Sequence, residues 1–358
     1  MGILTLDNFD VKGKTVLLRV DMNCPIHPDT GKILGTKRIE EVVETINALD
    51  GAKIVVISHQ GRVGRDDFVG MEEHAKQLEK FSNKKVRYVA DVIGSLAQDE
   101  IKKMNDGEII LLDNLRLCAE ENYEFSLEES ARTIMVQRLK DLFDLFILDS
   151  FPSAHRTHPS LVGFAQVLPT CAGRLLEKEV KQLENILTVA KSPFTVVLGG
   201  SKVDDRLKAI KLLIKKERAD HVLLTGVIAN VFLRAQGRIK FPLNIKDEEI
   251  YDIGTKTLEH YSKTIASAGT VFMSGPAGFF EKPDFQFGTK SMLEAISESM
   301  ATSIISGGHL TSALKQYNLS EKVSHISTAG GALVRYLTGQ KLPMIKCLED
   351  AADRHSKE

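Results

Sequence analysis

The chain lacks most of the features that announce a specialised function. It has four cysteines, Cys24, Cys118, Cys171 and Cys347, with no C-x-x-C pair among them. That spacing excludes a zinc ribbon and points to free thiols in a reducing compartment. The formal net charge of −1 gives no basic field for nucleic acid or for an anionic membrane, so no nucleic-acid partner is expected. Any phosphate binding must come from local clusters. No apolar run is long enough to span a bilayer. The start, Met1-Gly2-Ile3-Leu4-Thr5-Leu6, carries no basic-then-apolar leader, and Leu6 stands where a myristoylation motif wants Ser or Thr. A cytoplasmic location is the expectation. Nucleophile and metalloprotease motifs are missing too: there is no G-x-S-x-G, no H-E-x-x-H, and no cysteine set beside a histidine in a convincing pattern.

What is present is an ordinary globular composition, 43% hydrophobic and 27% charged, over 358 residues, a length that suggests about two domains. One stretch just past the midpoint organises the rest. Phe194–Leu198 is a short apolar run rich in β-branched residues, Gly199-Gly200-Ser201-Lys202 follows, and Leu207–Lys215 carries a helix-spaced apolar face. Strand, bare glycines, lysine and helix N-terminus together are a way to receive phosphate without metal or cysteine. The spacing to Lys202 is too short for a Walker A loop. The plain alternative is a tight strand-to-helix turn with a surface lysine.

The first half alternates apolar runs, Thr15–Val20, Ile54–Ser58, Val86–Val89, Ile109–Leu112 and Phe143–Leu148, with helix-spaced segments such as Ile39–Leu49 and Ser126–Leu142. This alternation predicts a doubly wound parallel sheet, in which ligands sit beyond the carboxyl ends of the strands. The residues there are polar and basic: Asp21-Met22-Asn23, His59-Gln60-Gly61-Arg62, Asp113-Asn114-Leu115-Arg116, and Asp149 through His158. With Arg38 just ahead of the first helix, four arginines and up to three histidines converge on one sheet edge. Guanidinium forks in that number suit a small acid with more than one negative charge. Asp21-x-Asn23 is not a calcium loop, because the required glycine is missing.

Ala172–Ala190 reads as a long amphipathic helix bridging two halves. In the second half the strand ends are glycine instead of arginine: Gly199-Gly200, Thr225-Gly226, Ser274-Gly275-Pro276-Ala277-Gly278, Ser306-Gly307-Gly308 and Thr328-Ala329-Gly330-Gly331. Repeated glycines let backbone approach a ligand and offer N–H donors, which suits the phosphates and flat base of a nucleotide. A cationic pocket in one domain and a glycine-lined pocket in the other imply transfer between two ligands. Phosphoryl transfer needs positioning and charge stabilisation but no side-chain nucleophile.

Eight stretches then carry a family resemblance over nearly the full chain: Arg19-Val20-Asp21-Met22-Asn23, Ser58-His59-Gln60-Gly61-Arg62, Asn114-Leu115-Arg116, Ala154-His155-Arg156, Gly199-Gly200-Ser201-Lys202-Val203, Gly275-Pro276-Ala277-Gly278-Phe279-Phe280-Glu281, Gly307-Gly308-His309 and Ser327-Thr328-Ala329-Gly330-Gly331-Ala332. In order and spacing the chain resembles phosphoglycerate kinases. The resemblance implies two Rossmann-like α/β domains joined by a long helix and hinge, and reversible, Mg²⁺-dependent transfer between 1,3-bisphosphoglycerate and ADP to give 3-phosphoglycerate and ATP. It implies that Asp21, Met22, Asn23, Arg38, His59, Gln60, Gly61, Arg62, Arg116 and Arg156 hold the phosphoglycerate, with Arg38 near its reacting carboxyl group. Lys202 would follow the phosphoryl group in flight. Gly200, Arg206, Gly226, Pro276, Gly307, Gly308, His309 and Leu310 would face the nucleotide, and Glu281 its ribose. The implied division is 1–171, an interdomain helix at 172–192, 193–343, and a C-terminal helix at 344–358 returning to the first domain, in a monomer whose hinge closes on its substrates.

Four departures stand out. His309 occupies the position of an aspartate that helps hold the metal nucleotide, a trait of archaeal members, and leaves the metal ligand unassigned. Arg206 replaces a second lysine, and Ala329 the first glycine of a Gly-Gly-Gly run. From Ala235-Gln236-Gly237 to Phe241-Pro242-Leu243 the chain is abrupt where members carry a further helix and strand, so the second sheet should be smaller. Two other readings stay open on the residues: a non-catalytic two-domain protein that closes on a phosphorylated acid, and a related acyl-phosphate kinase for another acid.

Overall fold

The computed structural model describes residues 2–189, 191–201, 203–237, 251–327, 330–337 and 339–357. Lys202, Thr328, Ala329 and the abrupt run from 238 to 243 therefore lie outside the described residues. The chain divides into two compact units, 1–181 with 341–358, and 182–340.

The first unit is built on a six-stranded, all-parallel sheet in the order β3-β4-β2-β1-β5-β6. The strands are β1 (Thr15–Val20), β2 (Lys53–Ile57), β3 (Val86–Val89), β4 (Ile109–Leu112), β5 (Leu145–Asp149) and β6 (Thr170–Ala172). Strands covered by helices on both faces must be apolar throughout, which is why Ile109-Ile110-Leu111-Leu112 is buried at every position. Val16, Leu18 and Val20 join Ile39, Ile46, Ile54 and Leu78 in one core layer. From β1 the chain steps to β2 on one side and later to β5 on the other. The crevice at the carboxyl end of β1 is thus a topological switch point, the usual ligand seat of such sheets.

Two local departures from the sequence pattern have clear causes. The segment Ser126–Leu142 does not form one helix: Leu127–Ala131 ends early, and Ile134–Leu139 starts afresh. Thr133 Oγ1 donates to the Ser130 carbonyl at 2.8 Å, and the Glu120 carboxylate accepts from the amides of Ile134 and Met135 at 2.8 and 3.0 Å, capping the second helix. The amphipathic helix begins at Arg174, not Ala172, and runs to Val189. Ala172 instead ends β6, pairing with Leu148 of β5. A three-residue strand is too short to register as a period. At the other end of the unit, helix Pro343–His355 packs back onto this unit: Met344 N donates to the Ala154 carbonyl at 3.2 Å, and the rings of Phe9 and His355 meet at 5.3 Å.

The second unit holds a five-stranded parallel sheet ordered β11-β10-β9-β7-β8. Its strands are β7 (Phe194–Leu198), β8 (His221–Leu224), β9 (Thr270–Ser274), β10 (Thr302–Ser306) and β11 (His325–Ser327). The same logic recurs, because β7 is flanked by β8 on one side and β9 on the other. Here the switch point falls at Gly199-Gly200. Val197, Val271, Met273, Ile305 and Leu310 are among the core residues packed against Ile265, Leu293 and Ile296 of the covering helices. Among the described residues no helix is long and apolar enough to cross a membrane.

Candidate functional site

In the first unit the strand ends supply a dense polar lattice. After β1, Asp21 Oδ1 accepts from the Asn23 amide at 3.0 Å and from Arg38 Nη1 at 2.7 Å, so one carboxylate both shapes the turn and aims the arginine. Arg38 remains partly exposed. Met22 is fully buried; its amide donates to Ser58 Oγ at 2.9 Å, which makes it a structural anchor for the turn. Asn23 Oδ1 accepts from the Gly61 amide at 2.9 Å, tying the end of β1 to the end of β2. Gly61 has φ of 64°, and a side chain there would collide with the backbone of Asp67 and Phe68. Gln60 is buried and uses both ends of its amide, accepting from Cys24 N at 2.8 Å and His74 Nε2 at 3.0 Å and donating to the carbonyls of Cys24 and Asp67. It braces the site from behind.

Asn114, after β4, repeats the device: its Oδ1 accepts from the amides of Gln60 and Arg116 at 3.2 and 3.1 Å, and its Nδ2 donates to the carbonyls of Gln60 and Val69. Arg116 Nη1 donates to the Gly61 carbonyl. These contacts draw His59, Arg116 and the ends of β1 and β2 into one place, with Arg62 exposed at the rim.

The electrostatics of this cluster are lopsided. Arg116 is pushed down to about 10 by burial first, then by repulsion from Arg156, Arg62 and Arg19, with Glu121 opposing. Arg156 is lowered by burial and by Arg62. His59 is pushed well below the ordinary histidine range by burial and by Arg19, Arg116 and Arg156, and His158 is pushed down to about 3 by burial and the same arginines. Cations that repel one another in a buried lattice, with Asp21 engaged by Arg38 and Glu121 facing Arg19, make this edge of the sheet suited to an anion.

Sequence reasoning assigned no role to three members of this cluster. Arg19, which opens the Arg19–Asn23 stretch, lies inside β1 with 1% of its surface exposed, where spacing alone assigns a strand arginine no role. Glu121 and Ser160 are also buried and meet each other: Ser160 Oγ donates to Glu121 Oε1 at 2.5 Å and Ser160 N to Oε2 at 3.1 Å. The signal that could have found Glu121 is a carboxylate five residues past Arg116, in a segment otherwise turn-like.

The second unit differs in kind. The glycines at the ends of β7 and β8 do not leave their amides open. Gly199 N donates to Ser274 O at 2.9 Å, Gly200 N to Pro276 O at 3.0 Å and Gly226 N to Ala277 O at 3.0 Å. A Cβ on Gly199 or Gly275 would stand well under 3.0 Å from backbone atoms of the other strand end. These residues are glycine because two backbones cross here. Arg206 is buried, with Nε donating to the Gly199 carbonyl at 3.2 Å and Nη2 to Ser274 Oγ at 3.0 Å, so its guanidinium braces the same crossing. Gly307 and Gly308 are different: a Cβ at either meets nothing within 4 Å. They open helix Gly308–Gln316, whose first-turn amides have no intrahelical acceptor. Leu310 is fully buried.

His309 Nδ1 and Glu281 Oε1 lie 2.6 Å apart on an exposed surface, with the Phe280 ring edge-on to His309. Beside Gly226 a cavity of ≈ 650 Å³ is lined by Leu224, Ala277, Asp252, Ile253 and Tyr261, of which Tyr261 donates its hydroxyl to the Leu224 carbonyl at 2.9 Å. Asp252, Ile253 and Tyr261 carried no motif in the sequence. Among the described residues no group of three or more His, Cys, Asp or Glu side chains is placed to hold a metal ion.

With that geometry in view, a family model described as phosphoglycerate kinase matches residues 6–242 and 238–340. The match falls in two stretches meeting where the sequence is abrupt. The phosphoglycerate kinase of Methanobacterium bryantii is 40% identical over 396 residues, covering 97% of this chain and 97% of that protein; the one from Methanothermus fervidus is 38% identical, covering 99% and 98%. The first alignment is longer than the chain's own 358 residues, so that relative carries residues with no counterpart here. Among solved structures, phosphoglycerate kinase from Pyrococcus horikoshii OT3 superposes with a TM-score of 0.86 at 33% identity, covering 98% of this chain and all of the other. The structure from Coxiella burnetii gives a TM-score of 0.77 at 30% identity, with coverage of 98% and 100%.

Proposed function

The chain belongs to the phosphoglycerate kinase family, a phosphotransferase family with a carboxyl acceptor, and from that premise we propose that the first unit holds the phosphoglycerate and the second the nucleotide. In the reaction the bond from phosphorus to the acyl oxygen of 1,3-bisphosphoglycerate breaks as a bond to the terminal phosphate oxygen of ADP forms, leaving 3-phosphoglycerate and ATP. The observation that carries the assignment of the acid is the lattice of repelling arginines around Arg19, Arg62, Arg116 and Arg156. A substrate with a phosphate at one end and a carboxyl at the other relieves that repulsion at both ends.

Arg38, held by Asp21 yet partly exposed, is the arginine placed to meet the reacting carboxyl group, while Asn23, His59 and Arg62 complete the ring. Met22, Gln60 and Gly61 act behind them by fixing the loops. On the nucleotide side we assign the first-turn amides of helix Gly308–Gln316 to phosphate, Glu281 to the ribose and the cavity beside Gly226 to the base. Lys202 is assigned to the transferring group on its place in the Gly-Gly-Ser-Lys motif alone. The family's nucleotide substrates come with Mg²⁺, a hard cation that favours oxygen ligands. The described residues do not form a carboxylate cage for it, and His309 is a nitrogen donor, so we assign its protein ligands to none of them. Action as a cytoplasmic monomer fits this reading.

The test is a coupled assay with Mg²⁺, ATP and 3-phosphoglycerate, following bisphosphoglycerate through its reductive dephosphorylation by NADH loss, with Lys202→Ala and Arg116→Ala alongside. Turnover that needs both substrates and collapses in both variants is the expected result. Calorimetric binding of 3-phosphoglycerate with no turnover would replace the kinase with a binding protein, and turnover with another acid only would replace the substrate.

A further inference from the structure

The contact between Arg19 and His59 settles more than their proximity. Arg19 Nη2 lies 3.1 Å from His59 Nδ1. A guanidinium has five N–H donors and no acceptor, and it stays protonated in proteins. At that distance Nδ1 must therefore be the acceptor, because a proton on it would set two donors against each other. The proton of the neutral ring is then on Nε2. Arg19 is itself held on every side: Nε donates to Ser160 Oγ at 3.0 Å, Nη1 to the Val20 carbonyl, and Nη2 lies 3.9 Å from Glu121 Oε1. Ser160 Oγ in turn donates a hydrogen bond to Glu121 Oε1, and Ser160 N donates to Oε2. The chain from Glu121 through Ser160 and Arg19 to His59 thus has a donor and an acceptor at each joint, all within a few per cent of full burial.

We infer that Arg19 is a positioning residue which fixes His59 as a neutral imidazole protonated on Nε2, giving the bound phosphoglycerate one N–H donor of constant charge. That His59 meets the acid at all rests on the reading of the first unit given above. The groups facing His59 from the neighbouring elements work in the same direction: Arg19 from β1, Arg116 from the turn after β4, and Arg156 and His158 from the segment after β5 each disfavour a charged ring. Glu121 is the carboxylate of the group, and its oxygens are engaged by Ser160. In sites with fewer cations a histidine beside a phosphate would gain a proton and bind more tightly as pH falls. Here the arginines provide the charge, and the histidine provides direction.

The test is nitrogen NMR of the whole protein labelled at histidine, with the His59 signal identified by its loss in His59→Gln. The expected pattern is a neutral ring with Nδ1 bare and Nε2 protonated, unchanged from about pH 5 to 8. A proton on Nδ1, or a midpoint near the ordinary histidine value, overturns the inference. The double variant Arg19→Met/Glu121→Gln removes both buried charges together, so neither is left unpaired. It should leave Nδ1 without its donor, so that the Nδ1–H tautomer appears in the nitrogen spectrum, and the KM for 3-phosphoglycerate should rise roughly fivefold with kcat nearly unchanged. A parallel change in KM and kcat, or none, counts against the positioning role. Addition of 3-phosphoglycerate should move the His59 signals; if it does not while the Nε2–H form stands, the substrate reading fails and the tautomer does not.

Discussion

The two units use all-parallel sheets of different strand order, each with a switch point beside its first strand, to build opposite kinds of surface. In the first, side chains form the site and the backbone is a scaffold: Asp21, Asn23, Gln60 and Asn114 satisfy loop amides so that arginines can be packed against one another. In the second, backbone dominates the strand ends: Arg206 braces a crossing of glycines, and the first-turn amides that we assign to phosphate belong to a helix start. The difference teaches where a ligand's binding energy is stored. A cationic lattice keeps repulsion that the anion releases, whereas a glycine crossing keeps shape and stores little charge. The two surfaces should therefore fail differently when disturbed.

The largest effect is expected where glycine is demanded by geometry. Gly199→Ala would drive a methyl group into the Pro276 carbonyl and Thr225 Oγ1, and should cost about 3 kcal/mol in urea unfolding of the second unit. Gly308→Ala, whose Cβ meets open space, should stay within about 0.5 kcal/mol of the parent. Equal costs at the two positions would dissolve the distinction between crossing and open glycines.

Next comes the charge lattice. Arg116→Ala removes a charged donor that we assign to the acid, worth about 2 kcal/mol, so the KM for 3-phosphoglycerate should rise roughly thirtyfold while that for ATP moves less than about twofold. A comparable rise for both substrates would mean that the surfaces do not separate by unit.

How much of this was visible in the sequence follows the same division. The strand ends bearing Asp21, His59, Arg62 and Arg116 were legible because a parallel sheet delivers ligands to the carboxyl ends of its strands, and charged residues recurring there have few other reasons to be present. The glycine positions were legible but not what their amides do: a sequence shows that Gly200 and Gly226 lack a side chain, yet only the fold shows their amides given to Pro276 and Ala277. Arg19 was visible in its motif, but its partners Glu121 and Ser160 stayed hidden because buried contacts between a strand and distant segments have no spacing to read. The strand β6 was lost to the helix that follows, and the helix break at Thr133 to a side-chain bond that competes locally with the helix.

Acid should distinguish the units as well. Burial pushes His74 down to about 4, below the ordinary 6.5 that applies once the chain unfolds. Between those values the unfolded chain binds a proton that the folded one refuses, so stability falls as pH drops through 6.5 toward 4. His158 and His59 act with the same sign. Asp149, raised to about 6 by burial, opposes them, since the folded state is the one that holds the proton there. For His74 alone the loss between about pH 7 and 5.5 is about 1 kcal/mol. Urea curves of the first unit should show it, and His74→Gln, which keeps a donor toward Gln60, should remove that part of the slope.

The smallest effect is expected at the most conspicuous pair of the second unit. His309 and Glu281 lie 2.6 Å apart, but the histidine is 74% exposed and the glutamate 40%. Exposed pairs gain little from charge, because water screens them and two side chains must be held still. His309→Ala should therefore change unfolding of the second unit by less than about 0.5 kcal/mol, with little dependence on salt. Its consequence should lie in the ligand instead. The variant frees the Glu281 carboxylate that we assign to the ribose, so ATP binding measured by calorimetry should hold or tighten slightly. A loss of more than about 1 kcal/mol in stability would show that this surface, too, is braced by charged side chains, and the contrast with the first unit would narrow to one of degree.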